Sequence, residues 1–228
     1  MALILSLETS TDVCSVAIHN NSELVHEAAI NQPQAHAARL SPLIEEVLRV
    51  AGLTARRLAA VATTSGPGSY TGLRIGVSTA KGLAYGLQIP LLSVATLDLM
   101  AFQASFLNET SSLLCPMIDA RRMEVYCQLC KPDLSVVSEI EAKVVDENSF
   151  SELLNSHNVL FFGSGAEKCK AVIRHKNARF LNGLSPSASH LGLIAGKKFE
   201  RKEFEDIFSF KPFYLKDFVA KKAQPFFE

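Results

Sequence analysis

Residues 65–84 read Ser65-Gly66-Pro67-Gly68-Ser69-Tyr70-Thr71-Gly72-Leu73-Arg74-Ile75-Gly76-Val77-Ser78-Thr79-Ala80-Lys81-Gly82-Leu83-Ala84. The run from Thr71 onward predicts a helix, yet it carries glycines at 72, 76 and 82, with another at 86. Glycine in a helix interior costs roughly 1 kcal/mol relative to alanine, so about 4 kcal/mol must be offset by something that needs a bare surface. Small residues recur at Gly68, Gly72, Gly76, Ala80 and Ala84, one stripe on one helix face. A second backbone or helix is therefore expected to approach closely there. Just upstream, residues 58–64 read as a short buried strand, 65–68 as a turn, and Ser69 or Thr71 as the helix cap. Strand, glycine turn and helix also make phosphate cradles. No Lys-Ser or Lys-Thr pair follows these glycines as a P-loop requires, so close packing ranks above phosphate binding.

The segments on either side define an α/β chain. Residues 2–7 are apolar, 8–12 form a polar turn, and 13–19 and 23–30 read as two further strands of a hairpin meander. Leu40, Leu43, Ile44, Val47 and Leu48 follow the spacing of an amphipathic helix that Gly52 closes. Pro42 opens that helix or kinks it near its start. A strand over 89–94 and a helix over 96–106 follow the glycine-rich helix. From Leu113 the pattern restarts, with strands at 113–118, 122–131 and 135–143, a short helix at 150–155 and a strand at 159–162. Helices at 167–175 and 190–203 complete it. Two lobes are expected, residues 1–107 and 108–228, each a mixed sheet with helices, as in a duplicated unit without residue-level repetition.

Composition narrows the function classes. Lys and Arg number 23 against 23 Asp and Glu, a formal charge of zero, which argues against autonomous nucleic-acid binding. With 48% hydrophobic residues, 228 residues bury a sizeable core. No signal peptide and no apolar run of about 20 residues is apparent, so a cytoplasmic, non-membrane protein is expected. Scattered cysteines at 14, 115, 127, 130 and 169 suit a reducing compartment. Cys127 and Cys130 form a CxxC on a strand, where an odd separation sends them to opposite faces, so they read as structural. The histidines at 19, 26, 36, 157, 175 and 190 lack metal spacing. Glu8, Asp12, Asp119 and Glu124 fall at strand ends or turns, where carboxylates either hold magnesium or cap loops; capping is the leading reading. Gly163-Ser164-Gly165 reads as a tight turn ahead of a nucleotide loop. Lys197, Lys198, Arg201 and Lys202 alternate with Glu200, Glu203 and Glu205 as a solvated helix face. No catalytic, cofactor-binding or metal-binding residue is assigned.

Four segments carry a family resemblance: residues 5–10 (LSLETS), residues 65–76 (SGPGSYTGLRIG), residues 119–126 (DARRMEVY) and residues 212–216 (PFYLK). On these the chain resembles the TsaB family, relatives of TsaD that share its actin-like two-lobe (ASKHA, ribonuclease H-like) fold. It departs at Glu8, where many members have Asp, and at Lys216, where many have Arg. The resemblance implies a part in making threonylcarbamoyladenosine beside the anticodon of tRNAs that read codons beginning with A. The role implied is a non-catalytic scaffold for the TsaD transferase and the TsaE ATPase. The transferase's metal-binding HxxxH falls here on Thr96 and Met100, neither of which replaces imidazole on a divalent ion. The resemblance further implies that the helices over 40–48 and 71–87 pair with those of TsaD. The expected partner face comprises Leu40, Leu43, Val47, Gly72, Leu73, Gly76, Val77 and Ala80, with packing inside the chain as the competing reading of each. Self-pairing through that face is expected for the chain alone, and tRNA contact only through the complex. The alternative function is an autonomous actin-fold ATPase or phosphotransferase, with a Mg-nucleotide held by residues 8–12, Asp119 and 163–165. Its first turn lacks the Asp-x-Gly such enzymes use. A metallopeptidase reading fails on the missing HxxxH.

Overall fold

The computed structural model describes residues 2–108 and 111–216. The opening apolar run forms β1 (Leu3–Glu8), which pairs antiparallel with β2 (Val13–Asn20), and β2 pairs antiparallel with β3 (Glu23–Asn31). α1 (His36–Val50) follows and ends at Gly52, whose positive φ of 65° lets the chain reverse. β4 (Ala60–Gly66) and β5 (Leu91–Ala95) add in parallel, giving the order β3-β2-β1-β4-β5. Between them runs α2 (Tyr70–Leu87), where the Ser69 hydroxyl accepts from the Gly72 amide at 3.2 Å. The second half repeats this topology strand for strand. β6 (Leu113–Asp119), β7 (Glu124–Cys130) and β8 (Val136–Val144) form a meander, and β9 (Val159–Phe162) and β10 (Ala178–Leu181) add in parallel, in the order β10-β9-β6-β7-β8. The expected duplication is therefore present in the topology.

Burial divides each sheet into two faces. Leu5, Leu7, Val16, Ile18 and Val61 pack beneath α1 and α2, while Ile4, Ala60, Ala62, Leu92 and Val94 face the other way. In the second lobe, Cys115, Cys127, Phe161 and Cys169 share one face with α4 (Ser151–Ser156) and α5 (Ser164–Cys169). Cys130 and Phe162 share the opposite face with α3 (Thr96–Ser105). Cys127 and Cys130 thus separate to opposite faces as their odd spacing requires. All five cysteines are buried and free.

Three expectations need correction. A single cut at 107/108 does not divide the lobes, because α6 (Ala188–Glu200) packs Leu191 and Ala195 against Ile4, Ala62 and Leu92 of the first sheet. The chain then stays on that lobe, where the Glu205 amide donates to the Leu91 carbonyl at 2.9 Å. β10 was not anticipated; four residues with an exposed Arg179 between half-buried neighbours give too short an alternation. Finally, the eight residues expected on a partner face are all buried inside the chain. Leu40, Leu43, Val47 and Ala80 belong to the cluster beneath α1 and α2, and Leu73 and Val77 are 1% and 3% exposed. A Cβ on Gly72 would strike the Thr9 carbonyl and one on Gly76 the Thr9 hydroxyl. The bare stripe is indeed closely approached, but by the turn after β1 of the same chain.

Candidate inter-lobe site

Between the lobes lies a cleft of about 590 Å³. Residues 10–12 and 67–71 form its first-lobe wall, residues 118–121, Tyr126 and Ser164 its second-lobe wall, and residues 213–216 run along it. The duplication explains this placement, since the β1–β2 and β6–β7 turns are equivalent and both open toward the cleft. Each turn brings a carboxylate, and each carboxylate is already engaged.

Glu8 is fully buried at the end of β1. Its carboxylate accepts from the Ser10 amide at 2.6 Å and the Ser10 hydroxyl at 2.5 Å. Burial pushes its pKa up, opposed by the hydrogen bonds from the Ser10 and Thr64 side chains and the Ser10 amide. The carbonyl of Ser10 accepts from the Ser69 amide at 2.7 Å, and a Cβ on Gly68 would collide with that same carbonyl. The first turn is consequently sealed against the start of α2, and its amide donor at residue 10 is spent on Glu8. In the second lobe Asp119 accepts from the Arg121 amide at 2.8 Å and forms an ion pair with Lys168. Lys168 Nζ also donates to the carbonyls of Arg122 at 2.7 Å and Glu124 at 2.6 Å, tying the turn together. Glu124 pairs with Lys216, and Asp12 is exposed at the rim. The four candidate carboxylates do not converge: among the described residues no three His, Cys, Asp or Glu side chains are arranged to hold a metal ion.

The C-terminal run contributes contacts that sequence reasoning missed. The Phe213 amide donates to the Ser65 carbonyl at 2.7 Å, and the Tyr214 ring lies 5.0 Å from that of Tyr70. Arg74 sits 4.3 Å over the Tyr70 ring and donates to the Tyr214 hydroxyl at 3.3 Å. Lys216 then reaches across to Glu124, so this run links both lobes along one side of the cleft. Only the shared motif 212–216 signalled that the segment mattered. Gly163 has a φ of 97°, and a Cβ there would meet Met100 and the Met117 carbonyl, so 163–165 is a tight turn packed on its own lobe. Thr96 and Met100 are 0% and 1% exposed and lie at and near the start of α3, in the packing between the lobes. A hydroxyl and a thioether buried in this way do not form a divalent-ion site.

Residues 23–224 match the family described as TsaD: tRNA N6-adenosine threonylcarbamoyltransferase. The chain belongs to the TsaD family. Within that family it is 29% identical to the tRNA threonylcarbamoyladenosine biosynthesis protein TsaB of Haemophilus influenzae, over 97% of both chains. A crystal structure from Pseudomonas aeruginosa, described as an uncharacterized protein with similarity to peptidase YEAZ, superposes with a TM-score of 0.83 at 27% identity. It covers 95% of this chain and 100% of its own. The resemblance to TsaB proteins is thus supported by sequence and fold together. The activator of 2-hydroxyisocaproyl-CoA dehydratase from Clostridium difficile, solved with bound ADPNP, aligns at a TM-score of 0.50 and 11% identity over 90% of this chain and 98% of its own. That likeness concerns the two-lobe α/β fold. Among the described residues no helix is long and apolar enough to cross a membrane.

Proposed function

We propose that this TsaD-family chain is a non-catalytic, cytoplasmic subunit in threonylcarbamoyladenosine biosynthesis on tRNA, supporting a TsaD-type transferase and, with it, a TsaE-type ATPase. The observation that carries the reading is the internal neutralisation of the cleft. Glu8 is committed to Ser10, Asp119 to Lys168 and Glu124 to Lys216, while Thr96 and Met100 stand where the resemblance expects the transferase's histidines. The same facts weigh against an autonomous ATPase, whose phosphates would need free donors in the first turn.

The surface offered to the partner is the outer side of the same two helices, not their buried stripe. On α2 it exposes Thr71, Arg74, Ser78, Gly82 and Tyr85, and on α1 Arg39, Ser41, Pro42, Glu45 and Arg49. Gly82 and Gly86 have open space where a Cβ would stand, so neither glycine is explained by packing within the chain. Together they forgo roughly 2 kcal/mol of helix propensity, which a closely approaching partner helix would offset. Self-pairing of the isolated chain would use the same face. Size-exclusion chromatography with light scattering, on the chain alone and with a TsaD-type partner, tests the proposal, alongside ATP titration of the lone chain. A heterodimer with no ATP binding is the expected result. No heterodimer together with tight ATP binding would overturn it in favour of an actin-fold enzyme.

A further inference from the structure

The zero net charge of the chain conceals a local imbalance. From Lys168 to Arg179 the sequence carries Lys168, Lys170, Arg174, Lys176 and Arg179 without one Asp or Glu. Lys168 is spent on Asp119. The other four are exposed, and none forms an ion pair among the described residues. The basic residues of α6 differ, because Lys198 donates to the Ser93 carbonyl at 2.8 Å and Arg201 faces Glu203 at 3.8 Å.

The segment between α5 and β10 is held in shape. Ile173 is 4% exposed and packs in the second-lobe core, the Asn177 side chain donates to the Leu154 carbonyl at 2.8 Å, and the Ala178 amide donates to the His175 carbonyl at 3.0 Å. Its position follows from strand direction. β9 runs toward Ser164 at the cleft, and β10 lies parallel with Ala178 beside Val159, so the segment sits at the end of the second sheet away from the cleft. The outer face of α1 and α2 is on the other lobe, and a partner seated there leaves these cations uncovered.

We propose that Lys170, Arg174, Lys176 and Arg179 form a contact surface for the sugar-phosphate backbone of RNA, engaged when the chain is in its complex. Unpaired Lys and Arg on an ordered loop suit phosphate oxygens. The one ring of this segment, Phe180, stacks on Phe161 at 5.3 Å, so backbone contact fits better than base stacking. The choice of RNA over an acidic protein rests on the tRNA reading above. Four cations alone give weak, salt-sensitive binding, with log K falling against log salt by roughly 3 to 4 if each meets one phosphate.

The test uses the full chain assembled with its TsaD-type partner and an unmodified tRNA transcript as the anisotropy probe, over a salt series. Replacing Lys170→Gln, Arg174→Gln, Lys176→Gln and Arg179→Gln together is expected to weaken binding at least tenfold and flatten the salt slope. The pair Lys170→Gln and Lys176→Gln should give about half of that change in slope. Thermal melting and heterodimer formation are measured in parallel and are expected to be unchanged, since all four side chains are solvent-facing. Unaltered tRNA affinity in an intact heterodimer would overturn this proposal while leaving the scaffold reading standing. Patch-dependent binding of poly-glutamate as tight as that of tRNA would overturn the choice of RNA. Loss of the heterodimer with wild-type protein would strike the scaffold reading itself.

Discussion

Glu8 joins local chemistry to stability at a single side chain. Its carboxyl is buried with two close donors from Ser10, and burial holds its pKa above the ordinary value of 4.5. A carboxyl whose folded pKa is raised favours the protonated form on folding, so its charge opposes folding at pH above that raised value. The opposition fades as pH falls toward 4.5 and is absent below. Glu8→Gln keeps an acceptor for both Ser10 donors and removes the charge. It is therefore expected to raise the melting temperature at pH 8, by about 2–4 °C for each kcal/mol gained, with the gain vanishing near pH 4. Calorimetry at both pH values checks this. Gly72 and Gly76 make the complementary case. A methyl at Gly72 meets the Thr9 carbonyl, which is backbone, whereas one at Gly76 meets the Thr9 hydroxyl. Gly72→Ala is expected to cost more than Gly76→Ala, on the order of 2–3 kcal/mol as for other overpacked sites, read by urea denaturation. The glycine stripe announced a close approach in the sequence. It did not announce the approaching group, because Thr9 lies 63 residues upstream of Gly72 and nothing in a linear pattern encodes that contact.

At the level of elements, α2 has two differently used glycine faces. Gly72 and Gly76 face the β1–β2 turn, and Gly82 and Gly86 face open space. Helix propensity then acts with opposite sign on folding and assembly. Gly82→Ala is expected to stabilise the isolated chain by roughly 0.5–1 kcal/mol. Gly82→Leu should leave the monomer folded while weakening the heterodimer at least tenfold, as titration calorimetry would read. If Gly82→Leu binds a TsaD-type partner as tightly as wild type, the outer face of α2 is not the interface. Legibility at this scale followed periodicity. The strong 3.6-residue pattern of α1 and the alternating meanders could be read from the chain, as could β9 with its residues 159–162. The helix anticipated at 167–175 is instead α5 at Ser164–Cys169, displaced toward the cleft. Its register is set by Gly163 and the packing of Gly165 on Val125, which are tertiary constraints. The C-terminal run was legible only as a motif, because its role lies in contacts with Ser65, Tyr70 and Glu124 far away in sequence.

For the whole molecule, the return of α6 to the first lobe makes two halves one structure and places histidines at the seam. His19 on β2 is 1% exposed, and α6 comes so close that a Cβ on Gly192 would collide with its ring. At the helix start the Ser189 amide donates to Glu27 at 3.1 Å, the Ala188 amide donates to Ser15 at 2.9 Å, and His190 Nδ1 lies 2.8 Å from the Ser187 hydroxyl. Burial pushes the pKa of both His19 and His190 down, against an upward pull from Glu27. A histidine with a lowered folded pKa is neutral in both states above pH 7 and contributes no pH dependence there. As pH falls through 6.5 the unfolded chain binds protons that the folded chain refuses, so stability declines until the lowered folded values are reached. Glu8 acts in the opposite direction at lower pH, because acid relieves its buried charge. The unfolding free energy is therefore expected to fall between pH 7.5 and 5.5 and to flatten below that range. His19→Gln should make the first limb shallower and leave the second unchanged, whereas Glu8→Gln should do the reverse. Urea denaturation at half-unit pH intervals separates the two groups. A decline of equal steepness in the His19→Gln chain would mean that the α6 seam does not set the acid sensitivity of the fold.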